Sequence, residues 1–257
     1  MMKAVFSEKY KRYEKEILKI IDNFDTSGSL LSNGSRNIIR TVSLSNGKAL
    51  SIKCFKKPNV INQFVYRFFR KSKAERSFIY GLYLQSRKLG TPAPVAYVEF
   101  PNTLSFNTSY YVCLHHEFDF MYRALVLESQ RFNDWKNILQ QFTRFTFKLH
   151  ENNVEFLDHS PGNTLITKNG EDYDFSIVDL NRMNIKPLSL DQRIKNFAKL
   201  THREDMMRIM SEEYALLMNV DVEDVYHKMI FYNKHFQYKW HRKERRKKII
   251  KDLKNKL

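Results

Sequence analysis

The sequence predicts an α+β fold: a β-rich part over residues 1–118, carrying an N-terminal helix and one further helix, then a mainly helical part over residues 119–257. Three observations predict it. The runs IIRTVSL and ALSIKCF have high β-propensity and flank the turn pair Asn46-Gly47, a strong hairpin signal. Trp135, Ile138, Leu139, Phe142, Phe145 and Leu149 recur at three- and four-residue steps, the period of a long core-facing helix. From Asp191 onward the pattern is helical throughout.

Taken in order, residues 5–22 read as an amphipathic helix with Tyr10, Tyr13, Ile17, Ile20 and Ile21 on one face. TSGSLLSNGSRN follows as a polar loop with turn signals at Gly28 and Gly34, leading into the hairpin. The chain is then basic and helical from about Val60 to Leu89, closed by Gly90. PVAYVEF and SYYVCLH read as a strand pair joined by PNTLSFN. After the long helix comes the Pro/Gly-punctuated loop EFLDHSPGN, then the short strands TLIT and FSIVDL around the turn KNGEDYD.

Composition bounds the function. A chain of 257 residues with 42% hydrophobic and 14% aromatic residues is globular rather than disordered. Its first residues lack a secretory apolar run, and no stretch approaches the ~20 apolar residues of a membrane span. Cys54 and Cys113 sit in apolar strands without metal-ligand spacing, as buried free thiols of a reducing cytoplasm do. The net charge of +16 is concentrated. Lys48 to Lys73 holds eight Lys/Arg and no acid, and Phe236 to Leu257 carries a net +8. A localised field of this kind predicts a polyanionic partner.

The second part carries residues suited to phosphoryl transfer. That reaction needs a carboxylate for the acceptor's proton, oxygen ligands for Mg²⁺, and a cation on the nucleotide. Asp158 follows a long helix, Asn163 stands five residues on, and Asp179 closes the apolar run FSIVD. The order helix, loop, strand, turn, strand, Asp is that of a bilobal protein-kinase-like fold, with Asp158 as base and Asn163 and Asp179 as metal ligands. Lys53 in ALSIKCF then stands as the nucleotide lysine. The loop containing Gly34 and Ser35 lies where a phosphate cover belongs, without repeated glycines. Glu75, the single carboxylate between residues 48 and 98, takes the role of Lys53's partner by elimination. Phe156-Leu157-Asp158 lacks the arginine that would hold a phosphorylated activation loop, and little chain separates Asp179 from the next helix. The first removes that mode of control, and the second favours a small or glycan acceptor over a protein.

The segments SIKCFKKPNVINQFVYRFFRKSKAERSF, LHENNVEFLDHSPGNTLI and FSIVDLNRM resemble the Kdo/WaaP lipopolysaccharide kinase family, particularly its members from Bacteroidetes-type bacteria. The likeness spans roughly residues 28–215. It implies the same roles for Lys53, Asp158, Asn163 and Asp179, with ATP and Mg²⁺ as cofactors. It also implies phosphorylation of a sugar hydroxyl of the lipopolysaccharide inner core, with Kdo of Kdo-lipid A as acceptor. Ser160 stands where related kinases often carry Lys or His, which leaves the γ-phosphate contacts unassigned.

A lipid-linked anionic sugar would account for the charge, placing the protein in the cytoplasm, peripheral at the inner membrane. Lys56, Lys57, Arg67, Arg70, Lys71 and Lys73 alternate with Phe64, Tyr66, Phe68 and Phe69. That mixture suits a headgroup region, although the same aromatics also suit packing in the first part. In the tail, Trp240, Ile249, Ile250, Leu253 and Leu257 are expected to form an apolar stripe. No RNA-binding signature accompanies the cations, so no nucleic-acid partner is expected. The rival readings are a kinase for another small molecule or a protein, and a non-catalytic kinase-fold module binding anionic lipid or nucleic acid.

Overall fold

The computed structural model describes residues 2–34, 37–56, 70–101 and 106–254, which form two compact units. The first comprises Met1–Phe118 together with Ser176–Arg182, and the second Asp119–Phe175 with Met183–Leu257.

The first unit is built on a six-stranded antiparallel sheet in the order β1-β5-β6-β4-β3-β2. Its strands are β1 (Lys3–Phe6), β2 (Ser29–Asn33), β3 (Asn37–Ser43), β4 (Ala49–Phe55), β5 (Pro94–Pro101) and β6 (Phe106–Leu114). The β3–β4 hairpin turns where Asn46-Gly47 predicts, with Gly47 at φ +80° and its N–H bonded to Leu44 O at 2.9 Å. Both faces of the sheet are covered. Leu50, Ile52 and Cys54 point into a core with Tyr10, Ile17, Ile21 and Phe24. Phe55 points the other way, into a core with Ala74, Phe78, Tyr97 and Tyr111.

Two local readings change. Residues 5–22 are not one helix: β1 pairs antiparallel with β5, a 3₁₀ turn spans Glu8–Tyr13, and α1 occupies Glu14–Asp22. The helical period resides in Ile17, Ile20 and Ile21, whereas Lys3–Phe6 is short enough to cap the open edge of β5. The loop before the hairpin contains strand β2, whose five side chains are all exposed. A strand with no buried face leaves no alternation to read, and it is held by its ladder with β3.

Helix α2 (Lys73–Ser86) starts at Ser72, whose hydroxyl accepts from Glu75 N–H at 3.0 Å. It ends before Gly90: Lys88 takes φ +55° and Leu89 N–H returns to Leu84 O at 2.9 Å. The first part of the expected helix, residues 60–69, lies outside the described residues, as does the link PNTLSFN at 102–105. Gly81 lets α2 approach β5, since a Cβ there would lie 2.5 Å from Pro94 Cγ and 3.2 Å from the Tyr111 hydroxyl. Helix propensity alone favours Gly→Ala by about 1 kcal/mol, but overpacking a core costs about 1–3 kcal/mol. The proline ring cannot swing away, so packing should win. Gly81→Ala is expected to lower the melting temperature, read by thermal denaturation; a rise would show that propensity dominates.

The second unit contains α3 (Tyr122–Leu127), α4 (Trp135–Glu151), α5 (Leu190–Lys195), α6 (Glu204–Met218) and α7 (Val222–Lys254). The predicted long helix is α4, burying Ile138, Leu139, Phe142, Phe145 and Leu149. Its Phe142 stacks on Tyr122 at 4.2 Å between ring centroids. Strands β7 (Phe120–Met121), β9 (Thr164–Asn169) and β10 (Asp172–Ile177) form a sheet in the order β10-β9-β7. A second pair joins β8 (Val154–Phe156) to β11 (Met183–Ile185), strands too short to leave a period in the sequence.

Helix α7 packs through Val225, Met229 and Asn233, after which its side chains turn almost wholly to solvent. Trp240, Ile249 and Ile250 are exposed, while Leu253 and Leu257 lie outside the described side chains. Trp240 departs from the expected stripe. At ~100° per residue, Trp240 and Ile249 fall on opposite sides of the helix.

Candidate active site

The residues singled out for phosphoryl transfer fall into two groups, one in each unit. In the first, β4 alternates: Ile52 and Cys54 enter the core with α1, so Lys53 emerges on the face that α2 covers. Its register neighbours are Ile39 on β3 and Tyr111 on β6. The Lys53 ammonium pairs with Asp179 Oδ1 at 2.5 Å. Asn181 Nδ2 donates to the same oxygen at 2.6 Å, leaving Oδ2 open among the described residues.

Asp179 lies two residues beyond β10 rather than at its end, with φ +61°. Asp is among the few residues that tolerate this left-handed backbone. The segment is fixed on either side. Ile177 N–H bonds Gly90 O at 2.9 Å, and Thr91 Oγ1 donates to Ile177 O at 3.0 Å. Leu180 is buried. These contacts explain why Ser176–Arg182 belongs to the first unit although it follows much of the second in sequence.

The expected partnership of Lys53 with Glu75 is not formed. Glu75 instead faces Lys3 of β1 at 3.5 Å and Lys71 at 4.0 Å. Lys3 also meets Glu99 at 3.6 Å and lies over the Tyr97 ring at 5.1 Å. Burial alone lowers the Lys3 ammonium, but Tyr97, Glu99 and Glu75 outweigh it and the net shift is upward. Elimination failed here because β1, a strand the sequence did not reveal, delivers a competing cation to Glu75.

Of the expected phosphate cover, Ser35 lies outside the described residues. Gly34 closes the β2–β3 turn, its N–H already bonded to Asn37 O at 2.9 Å. Lys56 Nζ donates to Gly34 O at 3.1 Å and places a cation beside that turn. The other members of the basic-aromatic stretch from Lys57 to Phe69 are outside the described residues. Cys54 and Cys113 are free and buried, and burial pushes the Cys113 thiol up to about 12 against the opposing pull of Lys53. An unreactive thiol is the consequence.

In the second unit the loop after β8 presents Asp158 and Asn163. Asn163 Nδ2 donates to Asp158 O at 2.8 Å, so the amide oxygen Oδ1 remains an acceptor. His159 is buried among the rings of Phe142, Phe156 and Phe197, and burial lowers its pKa to about 3. It anchors the loop as a neutral ring, with no acid–base role near neutral pH.

The loop is also held from the segment after α5. Asn196 Nδ2 donates to Phe156 O at 2.9 Å, and its Oδ1 lies 3.2 Å from Nε2 of the buried His150. Lys199 Nζ bonds Leu157 O and stands 4.0 Å from Asp158 Oδ1. On the other side, Arg123 at the start of α3 packs against Gly162, where a Cβ would lie 2.5 Å from its Nη2. Sequence reasoning missed Lys199, Arg123 and Asn181. Asn181 follows Asp179 closely enough to have been noticed, whereas Lys199 and Arg123 come from distant segments without local spacing.

Asp179 in the first unit and Asn163 in the second each offer a hard oxygen, the kind of ligand Mg²⁺ takes, and Mg²⁺ is commonly held by one or two such ligands plus substrate phosphates rather than by a protein cage. No cluster of three or more His, Cys, Asp or Glu residues that could hold a metal ion occurs among the described residues.

No protein-family model matches the sequence, and no curated protein matches it. Similarity appears among solved structures. The chain is similar to WaaP in complex with acyl carrier protein, with a TM-score of 0.64 and 13% identity over 93% of this chain and 98% of that one. It also aligns with a crystal structure of a Stt7 homolog from Micromonas algae soaked with ATP, at a TM-score of 0.44 and 12% identity, over 62% of this chain and 49% of that one. The antiparallel-sheet unit, the helical unit and the likeness to WaaP together establish that the chain has a protein-kinase-like fold.

Proposed function

We propose that the protein is an ATP-dependent kinase that phosphorylates a hydroxyl of an anionic, lipid-linked sugar, specifically Kdo of the lipopolysaccharide inner core. The observation that carries the kinase reading is the 2.5 Å pair between Lys53 and Asp179, a strand lysine and the aspartate that follows β10. In this reading Lys53 and Lys56 hold nucleotide phosphates. Asp158 takes the proton of the acceptor hydroxyl, and Asn163 and Asp179 are the ligands for Mg²⁺. When bound, the metal would neutralise charge on the β- and γ-phosphates. Asn181 keeps the Asp179 carboxylate aligned, and Asn196 holds the loop that presents Asp158.

The acceptor class rests on charge and on chain length. Residues 180–189 separate Asp179 from α5, a span that includes β11 and leaves little chain for docking a peptide. The exposed half of α7 is basic around its whole circumference. No helix among the described residues is long and apolar enough to cross a membrane. The tail's attraction to an anionic inner-membrane surface would draw on this charge. Such an attraction weakens with salt.

The test is transfer of labelled phosphate from ATP·Mg²⁺ to Kdo-lipid A in mixed vesicles. Transfer to the Kdo hydroxyl is the expected result. Absence of transfer to Kdo, with efficient transfer to a neutral sugar or a protein, would overturn the acceptor assignment and keep the kinase.

A further inference from the structure

We propose that Lys199 is the cation that accompanies the transferring phosphoryl group, supplying from the segment after α5 the charge that Ser160 does not provide within the catalytic loop. The inference rests on the kinase reading above and assigns one more catalytic residue to it.

The position of Lys199 is well determined. Its neighbours Phe197, Ala198 and Leu200 are buried, and Leu200 N–H bonds Phe197 O at 3.0 Å. From α7, the buried Asn233 donates to Ala198 O at 3.0 Å and to Thr201 O at 2.6 Å. The backbone of this segment is therefore clamped on both sides of Lys199, while the side chain, 34% exposed, reaches the loop and stays accessible to a substrate. The ammonium meets Asp158 Oδ1 at 4.0 Å. A γ-phosphate delivered to a hydroxyl that Asp158 deprotonates must come within reach of the same cation.

A plain strut to Leu157 O is the competing role. The neighbouring carbonyl, Phe156 O, is held by the neutral amide of Asn196. A neutral donor thus suffices to fix this backbone, and partly desolvating an ammonium for that purpose alone would be the costlier solution. Charge beside Asp158 is what distinguishes lysine there. In the reaction, the acceptor oxygen bonds to the γ-phosphorus as its proton passes to Asp158. The bond from phosphorus to the β–γ bridging oxygen breaks, and ADP leaves with that electron pair. Lys199 exchanges no proton; its positive charge offsets the negative charge on the γ-phosphoryl oxygens throughout.

The test compares full-length wild type with Lys199→Gln, Lys199→Arg and Asp158→Ala. Transfer from ATP·Mg²⁺ to Kdo-lipid A and slow ATP hydrolysis with water as acceptor are both measured, alongside melting curves. Glutamine keeps a neutral donor for Leu157 O and removes the charge. Lys199→Gln is expected to lower kcat about 10²-fold with KM for ATP changed less than about threefold, and Lys199→Arg to restore much of the loss. Lys199→Gln within about threefold of wild type, or a kcat loss in both variants that follows their loss of melting temperature, would overturn the assignment. If wild type transfers phosphate, Asp158→Ala does not and Lys199→Gln does, only the role of Lys199 fails. Wild type inactive in both assays overturns the kinase reading, and the role of Lys199 with it.

Discussion

Replacing Asp158 by asparagine should lower kcat for phosphoryl transfer about 10³-fold while leaving the affinity for ATP nearly unchanged. Asparagine keeps the size of the side chain and cannot take the acceptor's proton. It also leaves the backbone carbonyl that receives Asn163 Nδ2 at 2.8 Å, so the loop should keep its shape. The neighbouring Lys199 loses its carboxylate but retains its bond to Leu157 O. Steady-state kinetics with ATP·Mg²⁺ varied, paired with nucleotide-induced stabilisation, separates the two effects. An Asp158→Asn enzyme within about tenfold of wild type would remove Asp158 as the base, because removing a positioned base normally costs about 10²–10⁴-fold.

Selective loss of turnover would also exclude the non-catalytic reading. A binding module has no turnover to lose, and its affinity for an anionic surface would rise slightly when a carboxylate is removed. The two readings therefore separate in the kinetic assay, where only the kinase has turnover to lose.

What the sequence made legible followed from periodicity and chain order. The β3–β4 hairpin announced itself through Asn46-Gly47, and α4 through a buried face that repeats over its whole length. The places of Lys53 on a strand and of Asp158, Asn163 and Asp179 in loops beside strands could be read because each follows a recognisable strand or helix pattern. Features without a local signature were illegible. Edge strands β1 and β2 depend on an open neighbour, and β8 and β11 are three residues each. The partner of Glu75 could not be inferred by counting acids, because the competing element was a cation, Lys3, at the opposite edge of the chain's first sheet. Lys199 and Arg123 reach the loop of Asp158 and Asn163 from segments well separated from it in sequence. Their contacts depend on tertiary packing, which no spacing rule encodes.

Asp179→Asn is the second large effect, and its value is that the backbone should be spared. Asp179 holds φ +61°, and asparagine visits the left-handed region as readily as aspartate. Alanine would confound loss of charge with backbone strain; asparagine isolates the charge. The amide oxygen can still accept from Asn181, which now donates to Asp179 Oδ1 at 2.6 Å. Two interactions are lost: the ion pair with Lys53, and the negative charge of the proposed metal ligand. Transfer should therefore fall about 10³-fold, the scale of several kcal/mol of charge stabilisation at a metal site. Stability provides a separate readout. At ATP·Mg²⁺ 100-fold above Kd, wild type gains about 2.7 kcal/mol, which for a chain of this size raises Tm by about 5–10 °C. Asp179→Asn should lose most of this Mg²⁺-dependent rise and keep any rise that ATP produces in the presence of a chelator. Equal Mg²⁺-dependent stabilisation of wild type and variant would mean that the metal is held elsewhere. In that case Lys53 would be the reason for Asp179, and the aspartate's task would be to hold the lysine rather than the ion.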